Sequence, residues 1–76
     1  MDINEFIEHF AEQFEDTNSS EFKAETIFKD LDEWSSLMAL NIIAMVDEEY
    51  DVTLKGADIE KSTTIKDLFN TVQSKK

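Results

Sequence analysis

Residues 34–46 constrain this chain most strongly, because they form the longest apolar run in an otherwise acidic sequence. Ser35 and Ser36 precede its aliphatic part, and a serine hydroxyl at a helix start accepts a hydrogen bond from a free backbone N–H. The pattern predicts a helix that begins near residue 36, with one face apolar at spacings of three, four and seven. The residues on this predicted core face are Ala39, Ile42, Ile43, Val46 and Tyr50.

The other side of the same helix is also largely apolar. A helix of this kind is either buried on every side or contacts something besides its own core. Burial on every side is difficult in a chain of 76 residues, because small domains bury a small fraction of their surface. We therefore predict a docking side that meets a partner or ligand. Its residues are Leu37, Met38, Asn41, Ala44, Met45, Asp47 and Glu48.

Two flanking stretches carry a clear helical stripe. Residues 2–15 place apolar side chains on one side and glutamates on the other, with Asp2 as the expected cap. The last helix begins with a capping box in which Thr64 is paired with Asp67 instead of Glu. The two predicted stripes are Ile3, Phe6, Ile7, Phe10 and Phe14 in the first helix, and Ile65, Leu68, Phe69 and Val72 in the last.

Shorter elements connect these helices. Residues 16–20 predict a helix stop and the start of a loop. Ala24, Ile27, Phe28 and Leu31 follow at helical spacing, which predicts one or two helical turns within that loop. Residues 57–61 predict a single turn of helix with Ile59 directed inward, after a turn at Gly56.

These elements predict a single all-α domain spanning residues 1–76. The chain has no proline and one glycine, which favours helices throughout. We expect a four-helix, up-and-down bundle with three main helices and one short one.

Charge and composition exclude several classes of protein. A net charge of −11 disfavours nucleic acid and anionic membranes as partners and favours basic protein surfaces. No apolar run reaches the roughly 18 residues that a membrane span requires. The N-terminal residues 1–5 are acidic where a signal peptide is basic, so we expect a cytoplasmic protein.

No catalytic or metal-binding constellation is recognisable. The chain has no cysteine, and its one histidine, His9, lies among glutamates, where we interpret it as a surface residue. A calcium loop starting at Asp30 requires glycine at its sixth position and glutamate at its twelfth, and Ser35 and Asn41 stand there. We expect a protein that is not an enzyme.

The sequence Ser35-Ser36-Leu37 at a helix start, followed by residues 46–52 of the same helix, resembles the acyl carrier protein family. The resemblance covers essentially the whole chain. It implies a 4′-phosphopantetheine arm on Ser36 and a long ordered loop before that helix. The loop would be anchored in the core by Phe22, Ile27, Phe28 and Leu31. Ser35 stands where the family usually has Asp, and it is the alternative attachment site.

The resemblance also implies how such a protein is recognised. In the family, acids on this helix meet basic patches on partner enzymes, and Asp47, Glu48 and Glu49 supply acids here. Met38 and Asn41 replace acids that are common two and five positions after the serine, so we expect a more apolar docking side.

A carrier of this kind could also hold its acyl chain inside the helical bundle. A space for an acyl chain would be lined by Met45, Val46, Leu54 and Ile59.

Two functions follow from these features. The first is a monomeric carrier of acyl or aminoacyl thioesters in fatty-acid, polyketide or related biosynthesis. It would be served by a phosphopantetheinyl transferase and by acyl-loading and acyl-transfer enzymes. The alternative is an unmodified acidic helical adaptor that binds a basic or apolar partner through the face of helix 36–50. Only the carrier requires a covalent addition at Ser36 or Ser35, so the mass of the protein separates the two.

Overall fold

The computed structural model of the protein describes residues 2–76. Within that range the chain is helical, and its one backbone bridge pairs Ile27 with Thr64. The α-helices are α1 Ile3–Ala11, α2 Ser36–Tyr50, α3 Gly56–Lys61 and α4 Ile65–Ser74. The loop between α1 and α2 contains two 3-10 turns, Ser19–Glu21 and Phe28–Asp30. The all-α prediction of three main helices and a short one is confirmed.

The core is built around the aromatic side chains of α1. The Phe6 ring is fully buried, with its centroid 5.5 Å from that of Phe69 in α4 and 5.8 Å from that of Tyr50 in α2. The Phe10 ring is also fully buried, 5.6 Å from the ring of Phe28 in the loop. Large aromatic rings supply most of the apolar area that a domain of this size can bury. The phenylalanines of the predicted α1 stripe therefore form the centre of the core, and Ile3 and Ile7 are half-buried at its edge.

Local signals define the ends of α1 and α4. Asp2 caps α1 as predicted, because its side chain accepts a hydrogen bond from the Asn4 N–H at 3.1 Å. The helix ends at Ala11, earlier than predicted, and a tight turn bonded from the Phe14 N–H to the Ala11 carbonyl keeps Phe14 buried. At α4, the Asp67 N–H donates to the Thr64 hydroxyl at 3.1 Å, and the Thr64 N–H donates to the Asp67 carboxylate at 3.0 Å. This reciprocal pair confirms the predicted capping box.

Backbone hydrogen bonds attach the long loop between α1 and α2 to the start of α4. The Ile65 N–H donates to the Thr26 carbonyl at 3.1 Å, next to the bridge between Ile27 and Thr64. Phe22 and Phe28 are buried as expected, and Leu31 is half-buried. Ile27 was expected in the core, but its side chain is 46% exposed, and its backbone forms the bridge to Thr64. The predicted helical turns of residues 24–31 reduce to the single 3-10 turn Phe28–Asp30.

Helix α2 is rotated about its axis relative to the prediction. Ala39 and Ile43, assigned to the core face, are only half-buried. Met38 and Met45, assigned to the docking side, are buried with 9% and 5% exposure, so their prediction as surface residues is wrong. A helix that is apolar on nearly all sides does not define its own inward face, and packing against α1 and the rest of the core decides it. The observed core face is Met38, Ile42, Met45, Val46 and Tyr50.

Helix α3 follows a left-handed turn at the end of α2. That turn is at Asp51, with φ 56°, whose N–H donates to the Asp47 carbonyl at 3.1 Å. Gly56 was predicted as the turn residue and is instead the first residue of α3, whereas Ile59 is buried as predicted. None of the helices in residues 2–76 has the length and apolar character required to cross a membrane.

Candidate functional site

The start of α2 places two serines side by side in different roles. Ser35 is the N-cap, and its hydroxyl accepts a hydrogen bond from the Met38 N–H at 3.3 Å. Ser36 is the first residue of the helix and is exposed, and no hydrogen bond within residues 2–76 involves its hydroxyl. The structure therefore distinguishes the two hydroxyls: that of Ser35 caps the helix, and that of Ser36 is exposed and has no hydrogen-bond partner among the described residues.

A third serine, Ser62, differs from both. It is only 2% exposed, and its hydroxyl donates to the Asp58 carbonyl at 3.0 Å. A buried and bonded hydroxyl is inaccessible to an enzyme that attaches a group. Ser36 is therefore the better placed nucleophile for such a reaction.

The exposed side of α2 forms a continuous stripe that starts beside Ser36. Leu37 and Leu40 are 67% and 61% exposed, so the core does not cover these two large aliphatic side chains. Leu40 was not among the predicted docking residues, although its position three residues after Leu37 places both on one helical face. We call this exposed surface the docking stripe. Its residues are Leu37, Leu40, Ala44, Asp47, Glu48 and Asp51.

Asn41 lies at the border of the docking stripe. It is half-buried, and its side-chain amide lies 3.7 Å from the sulfur of Met38, to which it donates. Of the residues predicted for docking, Leu37, Ala44, Asp47 and Glu48 are thus exposed, Asn41 is partly accessible, and Met38 and Met45 are in the core.

The docking stripe changes in character along its length. Its first half is aliphatic, and its second half is acidic, with no basic residue in the last turn of α2. A helix C-terminus carries partial negative charge and favours cations, so Asp47 and Glu48 are electrostatically unfavourable there. Such acids do not stabilise the helix, and they are available to attract a basic surface.

The neighbouring acid Glu49 has a different role, because it faces α1. Its carboxylate lies 3.9 Å from the His9 imidazole, which also lies 3.6 Å from Glu5 and 3.5 Å from Glu12. The His9 ring also meets the Tyr50 ring edge-on at 5.8 Å. His9 is therefore a partly buried contact between α1 and α2 and not the isolated surface residue that we expected.

An open groove with a volume of about 670 Å³ lies next to Ser36, between the loop, α2 and α3. Three of the four residues predicted to line a space for an acyl chain, Met45, Val46 and Leu54, are packed in the core instead. Only Ile59 contributes to the groove. The lining residues are Lys29, Trp34, Ser35, Ser36, Ala39, Leu40, Gly56, Ile59 and Glu60.

The acids that precede α2 have a structural use. The Glu33 carboxylate accepts hydrogen bonds from the Thr17 hydroxyl at 2.6 Å and from the Asp16 N–H at 2.8 Å. These donors, the Thr17 hydroxyl first, hold the pKa of Glu33 below its usual range. Glu33 thus joins the two ends of the loop through these hydrogen bonds.

Across residues 2–76, no group of three or more histidine or carboxylate side chains is arranged to hold a metal ion.

Comparison with known proteins gives one match. The family model for the phosphopantetheine attachment site matches residues 4–72, which include Ser36, α2 and the groove. A search of curated proteins and a search of solved structures each found no significant match. The match covers most of the chain and agrees with the helical fold and with an exposed serine at the start of α2. The chain therefore belongs to the phosphopantetheine attachment site family, whose members carry 4′-phosphopantetheine covalently on a serine.

Proposed function

We propose that Ser36 is the attachment site and that the protein carries acyl or aminoacyl groups between partner enzymes. The observation that carries this proposal is the free, exposed hydroxyl of Ser36 at the first position of a 15-residue helix, inside the matched family region. Ser35 is the weaker candidate, because its hydroxyl already caps α2. Ser62 is excluded by its burial.

The start of α2 suits a negatively charged attachment. Backbone N–H groups in the first turn of a helix lack intrahelical partners, and the positive end of the macrodipole favours an anion there. By occupying the N-cap, Ser35 holds the first turn of α2 and thereby fixes the position of Ser36. When attached, the arm supplies a terminal thiol that holds an acyl group as a thioester.

The docking stripe is the surface that we assign to partner enzymes. These are a phosphopantetheinyl transferase and the enzymes that load and unload acyl groups. Leu37, Leu40 and Ala44 offer apolar contact close to Ser36, where an enzyme must approach. Large apolar side chains near the centre of an interface carry much of its binding energy. Asp47 and Glu48 attract basic surfaces and so accelerate the encounter.

On this proposal, residues 1–76 act as one monomeric carrier domain among cytoplasmic enzymes. The bond-making steps belong to the partner enzymes of fatty-acid, polyketide or related biosynthesis. The carrier contributes the attachment point and the recognition surface. The family match favours this function over an unmodified adaptor.

Intact mass after incubation with a broad-specificity phosphopantetheinyl transferase and coenzyme A tests the proposal. We expect one added arm on the wild type and on Ser35→Ala, and none on Ser36→Ala. The Ser36→Ala variant retains the Ser35 cap and should fold normally, which circular dichroism checks. Modification of Ser36→Ala would contradict the assignment, and an unmodified wild type would instead support the adaptor.

A further inference from the structure

Lys29 lines the same groove as Ser36, and two contacts hold its side chain there. It belongs to the 3-10 turn Phe28–Asp30, and its ammonium group donates to the Glu60 carbonyl in α3 at 2.8 Å. The same nitrogen lies 5.8 Å from the centroid of the Phe28 ring. The bond to the Glu60 carbonyl joins the loop to α3 across 31 positions of the sequence, whereas the Phe28 contact lies within the 3-10 turn itself. The Lys29 ammonium group therefore has a defined position, unlike that of a lysine whose side chain extends freely into solvent.

Among the described residues that line the groove, Lys29 is the one basic side chain. Ser36 borders the same groove, and Trp34, Leu40 and Ile59 form its apolar wall. Trp34 is itself fixed, with its ring edge-on to Phe28 at 4.9 Å between centroids. The groove thus combines one cation, one acidic residue (Glu60), an apolar wall and the proposed attachment serine. This combination matches a phosphodiester followed by a longer, less polar chain.

A positive charge at Lys29 is important because the protein is strongly acidic. The net charge is −11, and Asp30, Asp32 and Glu33 lie in the segment just before α2. A phosphodiester on Ser36 adds a further negative charge to this region. An ammonium group in contact with the phosphodiester would offset part of the repulsion between this new anion and the nearby acids. Lys29 is the groove residue whose charge opposes that repulsion.

We propose that Lys29 binds the phosphodiester of the arm on Ser36 and so positions the arm along the groove, while it retains its bond to α3. This inference rests on the proposed attachment at Ser36. A lysine ammonium has three N–H donors, so it is able to serve the Glu60 carbonyl and a phosphodiester oxygen at once. Attachment of the arm then ties the loop, the start of α2 and α3 together.

Two measurements report on this arrangement without any assay of acyl transfer. Trp34 is the only tryptophan in the sequence and lines the groove, so its fluorescence reports on whether the arm enters. Amide hydrogen exchange in α3 reports on whether Lys29 holds that helix more firmly after modification. Each is compared between the unmodified and the fully modified protein, with intact mass confirming the modification.

The decisive variants are Lys29→Gln and its matched control Lys66→Gln. Both remove one positive charge from an exposed lysine, but Lys66 lies on α4 and does not line the groove. In the wild type and in Lys66→Gln, modification should change Trp34 emission and slow exchange in α3 by at least threefold. In Lys29→Gln both responses should be lost, and Lys29→Arg, which retains the charge, should restore most of them.

A second variant tests the groove with Lys29 intact. A Cβ added at Gly56 meets nothing within 4 Å, so Gly56→Leu is expected to fold and to narrow the groove. It should therefore suppress the Trp34 response, and it keeps the inference testable if Lys29→Gln fails to fold. A full response in modified Lys29→Gln or in Gly56→Leu would overturn the inference and leave Ser36 as the attachment site. Absence of modification on wild-type Ser36 would instead overturn the proposed function.

Discussion

The two faces of α2 are both rich in apolar residues, but only one of them is used by the fold. On the inner face Ile42 and Val46 are fully buried, whereas on the docking stripe Leu37 and Leu40 are 67% and 61% exposed. Burial of an aliphatic side chain stabilises a domain by about 1.5–3 kcal/mol, and the exposed residues do not provide this. Because they lie together on one stripe, we propose that they serve docking. Apolar residues on one helix therefore have two uses, stability on the inner face and contact with partners on the outer face, and substitutions on each face can separate them.

The largest expected effect is on the inner face. Met38→Ala should lower the free energy of unfolding by about 2–5 kcal/mol, because it leaves a cavity in a packed core. Leu37→Ala, one residue away on the docking stripe, should change it by no more than about 0.5 kcal/mol. Urea unfolding of both variants checks the difference. Equal losses would show that the two faces are not distinct.

The next largest effect is expected on recognition by a partner enzyme, and here the substitution on the docking stripe should matter. Leu37→Ala should reduce kcat/KM for modification by a phosphopantetheinyl transferase about tenfold, which corresponds to about 1.4 kcal/mol of lost interface energy. Leu37 does not line the groove, so this result reports docking alone. Ile27→Ala is the matched control, since Ile27 is 46% exposed but lies outside the docking stripe. A similar loss in the control would mean that any exposed aliphatic residue matters.

A smaller effect is expected at the acidic end of the stripe, with opposite signs for stability and for function. Replacing Asp47 by Asn and Glu48 by Gln should raise the free energy of unfolding by about 0.3–1 kcal/mol per charge at low salt, because both acids oppose the helix macrodipole. The same changes should slow association with a basic partner, and this loss should disappear at high salt. Stopped-flow association at two ionic strengths and urea unfolding provide the test. A salt-independent loss would indicate direct contact instead of steering.

Where a helix has one apolar stripe, the sequence alone predicted which large side chains are buried. Phe6 and Phe10 in α1, and Leu68 and Val72 in α4, are buried as predicted. The Asp2 cap and the Thr64 capping box also follow from residues only two or three positions apart. Periodicity and capping are local properties, so they are visible without tertiary structure.

Features that depend on packing were not predictable to the same extent. In α2 the apolar residues surround the helix, so periodicity did not show that Met38 faces inward and Leu40 faces outward. Both serines before α2 are possible caps, and only the bond to the Met38 N–H distinguishes Ser35 from Ser36. The contact between Lys29 and Glu60 joins distant parts of the chain, and no local pattern indicates it.

The smallest effect at neutral pH is expected at Tyr50, the last residue of the inner face. Within residues 2–76 its buried hydroxyl has no hydrogen-bond partner, so Tyr50→Phe should change the free energy of unfolding near pH 7 by no more than about 1 kcal/mol. Burial, together with the carboxylates of Glu5, Glu49 and Asp2, raises the pKa of Tyr50 to about 12, above the ordinary value of 10.0. The unfolded chain therefore releases this proton first, and stability falls between about pH 10 and pH 12. In Tyr50→Phe that part of the alkaline loss should be absent, which urea unfolding at pH 8 and pH 11 would show. Identical alkaline losses in both proteins would mean that the Tyr50 hydroxyl is accessible to solvent and that the inner face ends before it.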